Sequence, residues 1–317
     1  MRGRAMSVDA IQAAAERIKP FIRRTPVLRL EHCAGADLRN DVHLKLECLQ
    51  VSGSFKIRGA VNRVTTLPSE RIANGLVAAS GGNHGLATAY MARHSRVPAT
   101  IFLPANASPV KEQKLRKLGA DVRYAGTVWD EAHLAAIAYA EERGCFYMHP
   151  FADDAIVSGQ GTVGIEMVEQ IPDADLYIVA IGGGGLIAGL SQVVKAVNPK
   201  ARIIGVEPVG SPTLHASFAA GSVVRLPEIT TRVATMACGR TDESIFEIAR
   251  QHVDEIVLIE DDAMQRAAEV LWFEFGIAAD LSGAASLAAI MAGAVRPKPG
   301  KRIAGLVCGA GMDGLSS

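Results

Sequence analysis

Cysteine pairs, an excess of charge and long hydrophobic runs are all missing from this sequence. The five cysteines among 317 residues are scattered, and no two of them form a C-x-x-C pair. This spacing argues against a zinc ribbon and against a disulfide framework, and it is typical of a reducing compartment. No apolar run has transmembrane length, and the first residues are polar, unlike the apolar core of a signal peptide. We therefore expect a soluble, cytoplasmic protein with no membrane partner.

The charged residues balance. There are 33 lysines and arginines against 33 aspartates and glutamates, so the formal net charge is zero. Proteins that bind nucleic acid or an anionic membrane through charge carry a basic excess, and we expect no such partner here. The 49% of hydrophobic residues is ample for the core of one large or two moderate domains.

Strand-like and helical segments alternate along the chain. Nine runs have the pattern of strands: 42–47, Leu76–Ser80, Ala99–Leu103, Asp121–Tyr124, Cys145–Met148, Leu176–Ile181, Arg202–Val206, Glu255–Ile259 and Ile303–Val307. Helical patterns lie between most of them: Val8–Lys19, Arg58 onward, Asn83–His94, Pro109–Leu118, Trp129–Arg143, Ile187–Val197, Asp262–Phe275 and Leu281–Ala294. Ser7 and Ser108 are expected to cap the helices that follow them. This alternation predicts an α/β protein with mostly parallel sheets.

Nine strands are many for a single open sheet, so we expect two open twisted sheets in two α/β domains. No linker, repeat or low-complexity segment marks a boundary between the domains. We therefore predict interleaved domains. The large one comprises residues 1–73 and 151–317, and the small one comprises residues 74–150.

A single lysine follows a serine and glycine turn at the start of a helical pattern. Residues Val51–Ala60 read VSGSFKIRGA and place Lys56 shortly after the strand-like run 42–47. Most lysines are solvated surface charges, and this motif alone does not exclude that interpretation. The functional interpretation is a Schiff-base lysine, the amine that carbonyl substrates and pyridoxal phosphate require.

Two glycine-rich turns follow apolar strands. Residues 80–85 read SGGNHG, and residues 182–186 read GGGGL. Glycines let the backbone approach a ligand closely, and a helix that follows them offers free N–H groups to an anion. The first turn suits a carboxylate, although it is also an ordinary strand-to-helix turn. The second is typical of a phosphate-binding site.

The second glycine turn also supports a rival interpretation. Gly183, Gly185 and Ala188 fit the looser dinucleotide fingerprint, and Glu207 ends the next strand, where a ribose-binding acid is expected. An NAD(P)-dependent oxidoreductase would leave Lys56 and the 80–85 turn without a role. It stays open as an alternative from a different class.

A fourth motif lies near the C-terminus, where residues 306–311 read LVCGAG. Cys308 follows an apolar strand and precedes a glycine. A free cysteine in this position is usually a small core hydrophobe. The functional interpretation is a neutral thiol that faces a cofactor ring nitrogen.

Together these motifs resemble the fold-type II pyridoxal phosphate (PLP) enzymes, whose fold is similar to the β subunit of tryptophan synthase. The nearest resemblance is to the threonine/serine dehydratase (ammonia-lyase) and serine racemase group. The motifs occur in that family's order and spacing, with further matches at residues 149–151 (HPF), 159–162 (GQGT) and 205–208 (GVEP). The resemblance covers nearly the whole chain. It implies PLP as the cofactor, an amino acid as the substrate and a homodimer.

The resemblance also implies a role for each motif. Lys56 would be the catalytic Schiff-base lysine, Phe55 would lie beside the pyridine ring, and Cys308 would face the pyridine nitrogen. The phosphate would be held by Gly182, Gly183, Gly184, Gly185 and Leu186. Asn83 would bind the ring 3′-hydroxyl, and the substrate carboxylate would lie among Ser80, Gly81, Gly82, Asn83 and His84. We interpret His149 as a structural residue at a strand end.

The implied reaction is β-elimination of water from a threonine- or serine-like hydroxy amino acid, which gives a 2-oxo acid and ammonia. PLP is an electron sink for a carbanion at Cα. Burial would lower the pKa of Lys56, so that its amine can act as nucleophile and base. A thiol at the ring nitrogen need not keep the pyridine protonated. The carbanion is then less stabilised, which suits prompt loss of the β-hydroxyl.

Two departures from the family pattern concern activity and metal binding. Gly81 stands where racemases of this group have a serine as second base, so racemisation is the runner-up activity. Thr213 stands where the family's divalent-cation site has an acid. Glu207 and the carbonyl of Ser211 remain as candidate ligands, and we do not expect a metal site.

A third departure concerns the substrate. Thr235 and Met236 replace the Asp-Gly of plain threonine dehydratases. Met236 could line an apolar pocket and Arg240 could receive a second acidic group, although a core methionine and a surface arginine are the more common fates. Hydroxyectoine-derived, 3-hydroxyaspartate and phenylserine substrates therefore stay open, as does a PLP-binding protein without catalysis.

Overall fold

Ten strands in the described part of the chain form two separate sheets. The computed structural model describes residues 7–33, 40–105, 109–127 and 129–315. The strands are β1 (Val27–Arg29), β2 (Asp41–Leu46), β3 (Leu76–Ala79), β4 (Ala99–Leu103), β5 (Asp121–Tyr124), β6 (Phe146–Tyr147), β7 (Leu176–Ala180), β8 (Arg202–Pro208), β9 (Glu255–Ile259) and β10 (Arg302–Val307). The larger sheet has the order β1-β2-β10-β7-β8-β9 and the smaller one β5-β4-β3-β6.

Twelve α-helices accompany these strands in the described residues. They are α1 (Val8–Ile18), α2 (Lys56–Thr65), α3 (Ser69–Ile72), α4 (Asn83–Ser95), α5 (Pro109–Lys117), α6 (Trp129–Arg143), α7 (Asp154–Gln170), α8 (Gly185–Val197), α9 (Thr213–Ala220), α10 (Glu243–His252), α11 (Asp261–Phe275) and α12 (Leu281–Met291). None of the helices among the described residues combines the length and the apolar character needed to cross a bilayer.

The predicted α/β class with two mostly parallel sheets is confirmed. All nine predicted strands are present, and their ends differ from the prediction by at most two residues. The eight predicted helices are present as well, and the hydroxyl of Ser7 accepts a hydrogen bond from the amide of Ala10 at 3.3 Å, as expected of an N-cap. Ser108, the other predicted cap, lies outside the described residues.

The sequence prediction missed one strand and four helices. The strand is β1, a three-residue edge strand that pairs antiparallel with β2 and is the exception to parallel pairing in the described sheets. The helices are α3, α7, α9 and α10. Helix α12 also ends earlier than predicted, at Met291, because Gly293 takes a positive φ of 66° two residues later and stops the helix.

The two sheets draw their strands from different parts of the chain. The smaller sheet uses residues between 76 and 147, and the larger one uses residues 27–46 and 176–307. The interleaved domains, with boundaries near residues 73 and 150, stay a prediction. Helix α2 follows a strand of the larger sheet but packs with the smaller one, because its apolar residues Ile57, Val61 and Val64 are buried in the same core as the smaller sheet.

Alternation along β3 explains why the smaller sheet has helices on both faces. Leu76 and Ala78 lie in the core that includes residues of α4, whereas Val77 and Ala79 lie in the core that includes residues of α6. A strand covered on both faces is apolar throughout, as β3 is.

The topology brings the predicted motifs to one region. Strands β2, β10 and β7 are parallel neighbours, so the segments that follow them emerge from the same edge of the larger sheet. Those segments carry Lys56, Cys308 and the glycine run 182–185. The turn 80–84 follows β3 of the smaller sheet. Ligands of open α/β sheets bind at such carboxyl ends.

Candidate active site

The turn before Lys56 is tied to the segment that follows β10. The amide of Phe55 donates to the carbonyl of Cys308 at 3.0 Å, and the amide of Ala310 donates to the carbonyl of Gly53 at 2.7 Å. Ser54 and Gly309 form an isolated antiparallel bridge between these two contacts. Because Lys56 is the first residue of α2, these hydrogen bonds fix where its side chain starts.

The amine of Lys56 lies in a setting that favours its neutral form. Its Nζ donates to the carbonyl of Pro150 at 2.8 Å and sits 5.1 Å from the centre of the Phe55 ring. Burial lowers the pKa of Lys56 to about 8, and in the described part of the chain no carboxylate lies within ion-pair distance of it. About a tenth of the amine is therefore unprotonated at pH 7.

A buried group of charges holds the start of α2 in place. Arg58 donates from Nε and Nη2 to the two carboxylate oxygens of Glu47, both at 2.7 Å, and from Nη1 to Glu166 at 2.8 Å. Glu166 also accepts from Lys45 at 2.5 Å. Arg58, Glu47 and Lys45 are fully buried. Two cations and two carboxylates thus neutralise one another, and they link α2 to β2 and α7.

Three residues of the glycine run, Gly183 to Gly185, have room for backbone only. A Cβ on Gly183 would lie 2.2 Å from the ring of Phe151, and one on Gly185 would lie 2.7 Å from the Phe151 carbonyl oxygen. Gly184 has a φ of 92°, which favours glycine, and caps α8 without any side-chain hydrogen bond to the helix amides. The start of α8 therefore presents backbone N–H groups to an anion, as the phosphate interpretation requires.

The turn 80–84 lies beside the same region. The hydroxyl of Ser80 accepts from the amide of Gly82 at 3.2 Å, and α4 begins at Asn83 with no side-chain cap. A Cβ on Gly82 would lie 3.2 Å from the methyl group of Thr235. A Cβ on Gly182 would lie 3.2 Å from the backbone carbonyl oxygen of the same threonine. Thr235 therefore lies between the two glycine turns.

His84 is neutral and has a structural hydrogen bond. Its Nε2 lies 2.8 Å from the carbonyl oxygen of Met148, and since a carbonyl only accepts, Nε2 carries the proton. Burial, together with the charge of Lys56, lowers the pKa of His84 to about 3. The sequence analysis places His84 near the substrate carboxylate. Here its ring joins α4 to the segment after β6.

Asn83 and Cys308 contact two residues that the sequence analysis did not single out, Asp280 and Ser282. The Nδ2 of Asn83 donates to the carboxylate of Asp280 at 2.7 Å, and the thiol of Cys308 lies 3.7 Å from the hydroxyl of Ser282. Burial raises the pKa of Cys308 well above its usual range, so the thiol is neutral. The local signal for Asp280 was its position directly before the small-residue run of α12, where an N-cap is expected.

The structure brings most of the predicted site residues together. Phe55 contacts the Cys308 backbone, Asn83 lies against Gly309, and the charge of Lys56 lowers the pKa of both His84 and His149. His149 also accepts from the amide of Ala152 at 2.8 Å through Nδ1. It is therefore both a structural residue, as predicted, and a neighbour of the site. Phe151 contributes through its ring and Pro150 through its carbonyl, and neither role was derived from the sequence.

The residues considered for metal and substrate roles are engaged elsewhere. Glu207 accepts from the amides of Leu214 and His215, both at 2.8 Å, and so binds the first turn of α9. The Ser211 hydroxyl bonds to the backbone of Cys238, but these contacts do not involve its carbonyl, which was the group considered as a metal ligand. No group of three or more metal-binding side chains occurs among the described residues. Met236 is buried in the core, and Arg240 is exposed and pairs with Glu243.

Replacing Glu207 with glutamine is expected to change the pH dependence of stability. Burial raises the pKa of Glu207 from 4.5 to about 7. The folded state then binds this proton more tightly than the unfolded chain, so the wild type loses stability as the pH rises from about 4.5 to about 7. The free energy of unfolding of Glu207→Gln, measured in urea relative to that of the wild type, should rise by roughly 2–3 kcal/mol between pH 5 and pH 8. A difference in the free energy of unfolding that does not change with pH would contradict this prediction.

Comparisons with known proteins agree with this site. The family described as "Pyridoxal-phosphate dependent enzyme" matches residues 18–309. The chain is 38% identical over 293 residues to an L-threonine ammonia-lyase of Geobacter sulfurreducens, covering 92% of this chain and 73% of that protein. It is 34% identical over 312 residues to a phenylserine dehydratase of Ralstonia pickettii, covering 96% and 93%.

The fold comparison gives the same result. The structure of maize serine racemase superposes with a TM-score of 0.90 at 32% identity, covering 97% of this chain and 94% of that one. The likeness thus extends over both sheets and over every motif of the site. The chain belongs to the pyridoxal-phosphate dependent enzymes of fold type II.

Proposed function

We propose that this protein is a PLP-dependent lyase that eliminates water from a β-hydroxy amino acid and releases a 2-oxo acid and ammonia. The observation that carries the proposal is the amine of Lys56. It has a pKa near 8, has no carboxylate partner in the described residues, and shares one region with the uncapped start of α8. Relatives named as threonine ammonia-lyase and phenylserine dehydratase support the reaction class.

The residues of the site fit PLP. Gly183 to Gly185 leave no room for side chains, and the start of α8 has helix N–H groups without a side-chain cap, as a phosphate group requires. Gly182 to Gly185 and Leu186 would hold the phosphate, while Phe55 and Asn83 would contact the ring. The raised pKa of Cys308 makes its thiol a neutral partner for the ring nitrogen.

Groups of the protein itself would bind the substrate and take up its Cα proton. When bound, PLP withdraws electrons from the substrate Cα and so stabilises the charge left by loss of a proton. Lys56 accepts that proton, since a pKa near 8 gives a usable fraction of free amine at neutral pH. Neutral His84 anchors the 80–84 turn through Met148, and the backbone amides of this turn would bind the substrate carboxylate.

Amino-acid racemisation is the second candidate, supported by the likeness to maize serine racemase. Two opposed bases are needed to exchange the proton between the faces of Cα. Gly81 offers no proton on the second face. A Cβ added there would meet the side chain of Leu103 at 3.1 Å, so a serine would need Leu103 to shift.

A substrate panel tests the proposal. The purified holoenzyme is incubated with L- and D-threonine, serine, 3-hydroxyaspartate and phenylserine and with hydroxyectoine-derived acids, and 2-oxo acid and ammonia are measured. We expect equal amounts of both products from at least one substrate. Interconversion of L- and D-serine without keto acid would favour the racemase. Bound PLP with no product from any substrate would indicate a binding protein, and bound nicotinamide cofactor would indicate an oxidoreductase.

We further propose that the protein is a cytoplasmic homodimer. The scattered cysteines, with no C-x-x-C pair, support the reducing compartment. The dimer is supported by Phe273 of α11 and Met312 of the turn packed on α11, which are 75% and 53% exposed. Exposed apolar side chains of this size mark interaction surfaces when they cluster. Light scattering should give twice the chain mass, and a monomer at micromolar concentration would contradict the dimer.

A further inference from the structure

Asp280 is a buried carboxylate that the proposed mechanism does not yet use. It is 7% exposed, and no lysine, arginine or histidine in the described part of the chain lies within ion-pair distance of it. Asp313 adds a second negative charge nearby. Burial, together with the charge of Asp313, raises the pKa of Asp280, and buried carboxylates without a cation are concentrated at functional sites.

The two oxygens of Asp280 have different partners. Oδ1 accepts from the hydroxyl of Ser282 at 2.7 Å and from the amide of Gly283 at 2.6 Å, so it caps α12. Oδ2 accepts from Nδ2 of Asn83 at 2.7 Å, across to the start of α4. One carboxylate thus joins a helix on the larger sheet to the helix that starts in the 80–84 turn.

Gly309 leaves space for this contact. A Cβ at Gly309 would lie 2.5 Å from Nδ2 of Asn83 and 2.7 Å from Oδ2 of Asp280. The amide of Asp280 in turn donates to the carbonyl of Gly309 at 3.0 Å. The pair therefore packs directly on the backbone that follows Cys308, beside the groups assigned to the cofactor ring.

We propose that Asp280 is a positioning residue that sets the orientation of the Asn83 amide toward the cofactor ring. This inference rests on the proposed function. Oδ1 of Asp280 already accepts from two donors and Oδ2 faces Nδ2 of Asn83, so a flip of the Asn83 amide would place its oxygen against a carboxylate oxygen. One N–H and the amide oxygen of Asn83 then remain for a ligand, in a fixed direction.

A purely structural role is the competing explanation, because Asp280 also caps α12. Asparagine is as good an N-cap as aspartate and has the same shape, so Asp280→Asn keeps the cap and replaces the second carboxylate oxygen with an N–H donor. Asp313 provides the matched control. Its carboxylate accepts from the amide of Leu281 at 3.0 Å on the same helix start and does not contact Asn83.

The test measures cofactor binding and stability separately. Apoprotein is titrated with PLP to obtain the dissociation constant, and the melting temperature of the apoprotein is recorded without PLP. For Asp280→Asn we expect the dissociation constant to rise about tenfold and the visible absorption maximum of bound PLP to shift. The melting temperature should stay level or rise, since a buried charge is removed. Asp313→Asn should bind PLP like the wild type.

A double-variant cycle shows whether Asp280 acts through Asn83. If it does, Asp280→Asn combined with Asn83→Ala should bind PLP no more weakly than Asn83→Ala alone. The inference would be overturned if the losses of PLP affinity of the two single variants added in the double variant. It would also be overturned if Asp280→Asn bound PLP with wild-type affinity. A melting temperature that falls in proportion to the affinity would assign Asp280 to capping. Wild-type protein that does not bind PLP would instead overturn the proposed function.

Discussion

Replacing Lys56 with alanine is expected to abolish turnover, with a loss of at least about a thousandfold on the best substrate of the panel. In the proposed mechanism Lys56 takes the proton from Cα, and its neighbours do not offer a substitute. His84 donates its Nε2 proton to Met148, and the Cys308 thiol is neutral with a raised pKa. The measurement is the rate of 2-oxo acid formation.

A second readout separates chemistry from folding. Borohydride should fix PLP covalently to the wild type and leave Lys56→Ala unlabelled, as judged by intact mass. Lys114→Ala is the matched control, because Lys114 is exposed on α5 and its removal should change neither readout. Full turnover in Lys56→Ala, or PLP fixed to a different lysine, would remove the basis of the proposed function.

Replacing Arg58 with methionine is expected to lower the free energy of unfolding by about 3–5 kcal/mol. Methionine keeps most of the volume but removes the positive charge that faces Glu47. Both carboxylate oxygens of Glu47 accept from Arg58, and both side chains are fully buried. The variant therefore leaves a buried carboxylate without its cation. Urea unfolding of the apoprotein measures the loss.

Two further variants make this prediction specific. Arg116→Ala removes an exposed pair with Glu112 on α5 and should cost no more than about 0.5 kcal/mol. Adding Glu47→Gln to Arg58→Met restores the charge balance with Lys45 and Glu166, so the double variant should recover part of the stability. A loss below about 1 kcal/mol in Arg58→Met, or no recovery in the double variant, would show that the charges are not coupled as the contacts imply.

Local patterns in the sequence predicted most of the helices and strands. Apolar runs bounded by glycine or charge located nine strands, and periodicity located eight helices, because both patterns repeat over a few residues. Helix α7 was missed for a physical reason. It contains Gly159, Gly161 and Gly164, which lower helix propensity, yet a Cβ on Gly159 would lie 2.6 Å from the carbonyl oxygen of Arg58 in α2. Packing overrides propensity there.

The sequence by itself determined the candidate motifs, because the chemistry of a lysine on a turn and of glycines before a helix depends on residues that are adjacent in the chain. Only the tertiary structure decided which side chains hold them in place. Asp280 and Asn83 are 197 positions apart, and Arg58 and Glu166 are 108 apart. No short-range pattern links such residues, since their pairing arises from burial and from the need of each buried polar group for a partner.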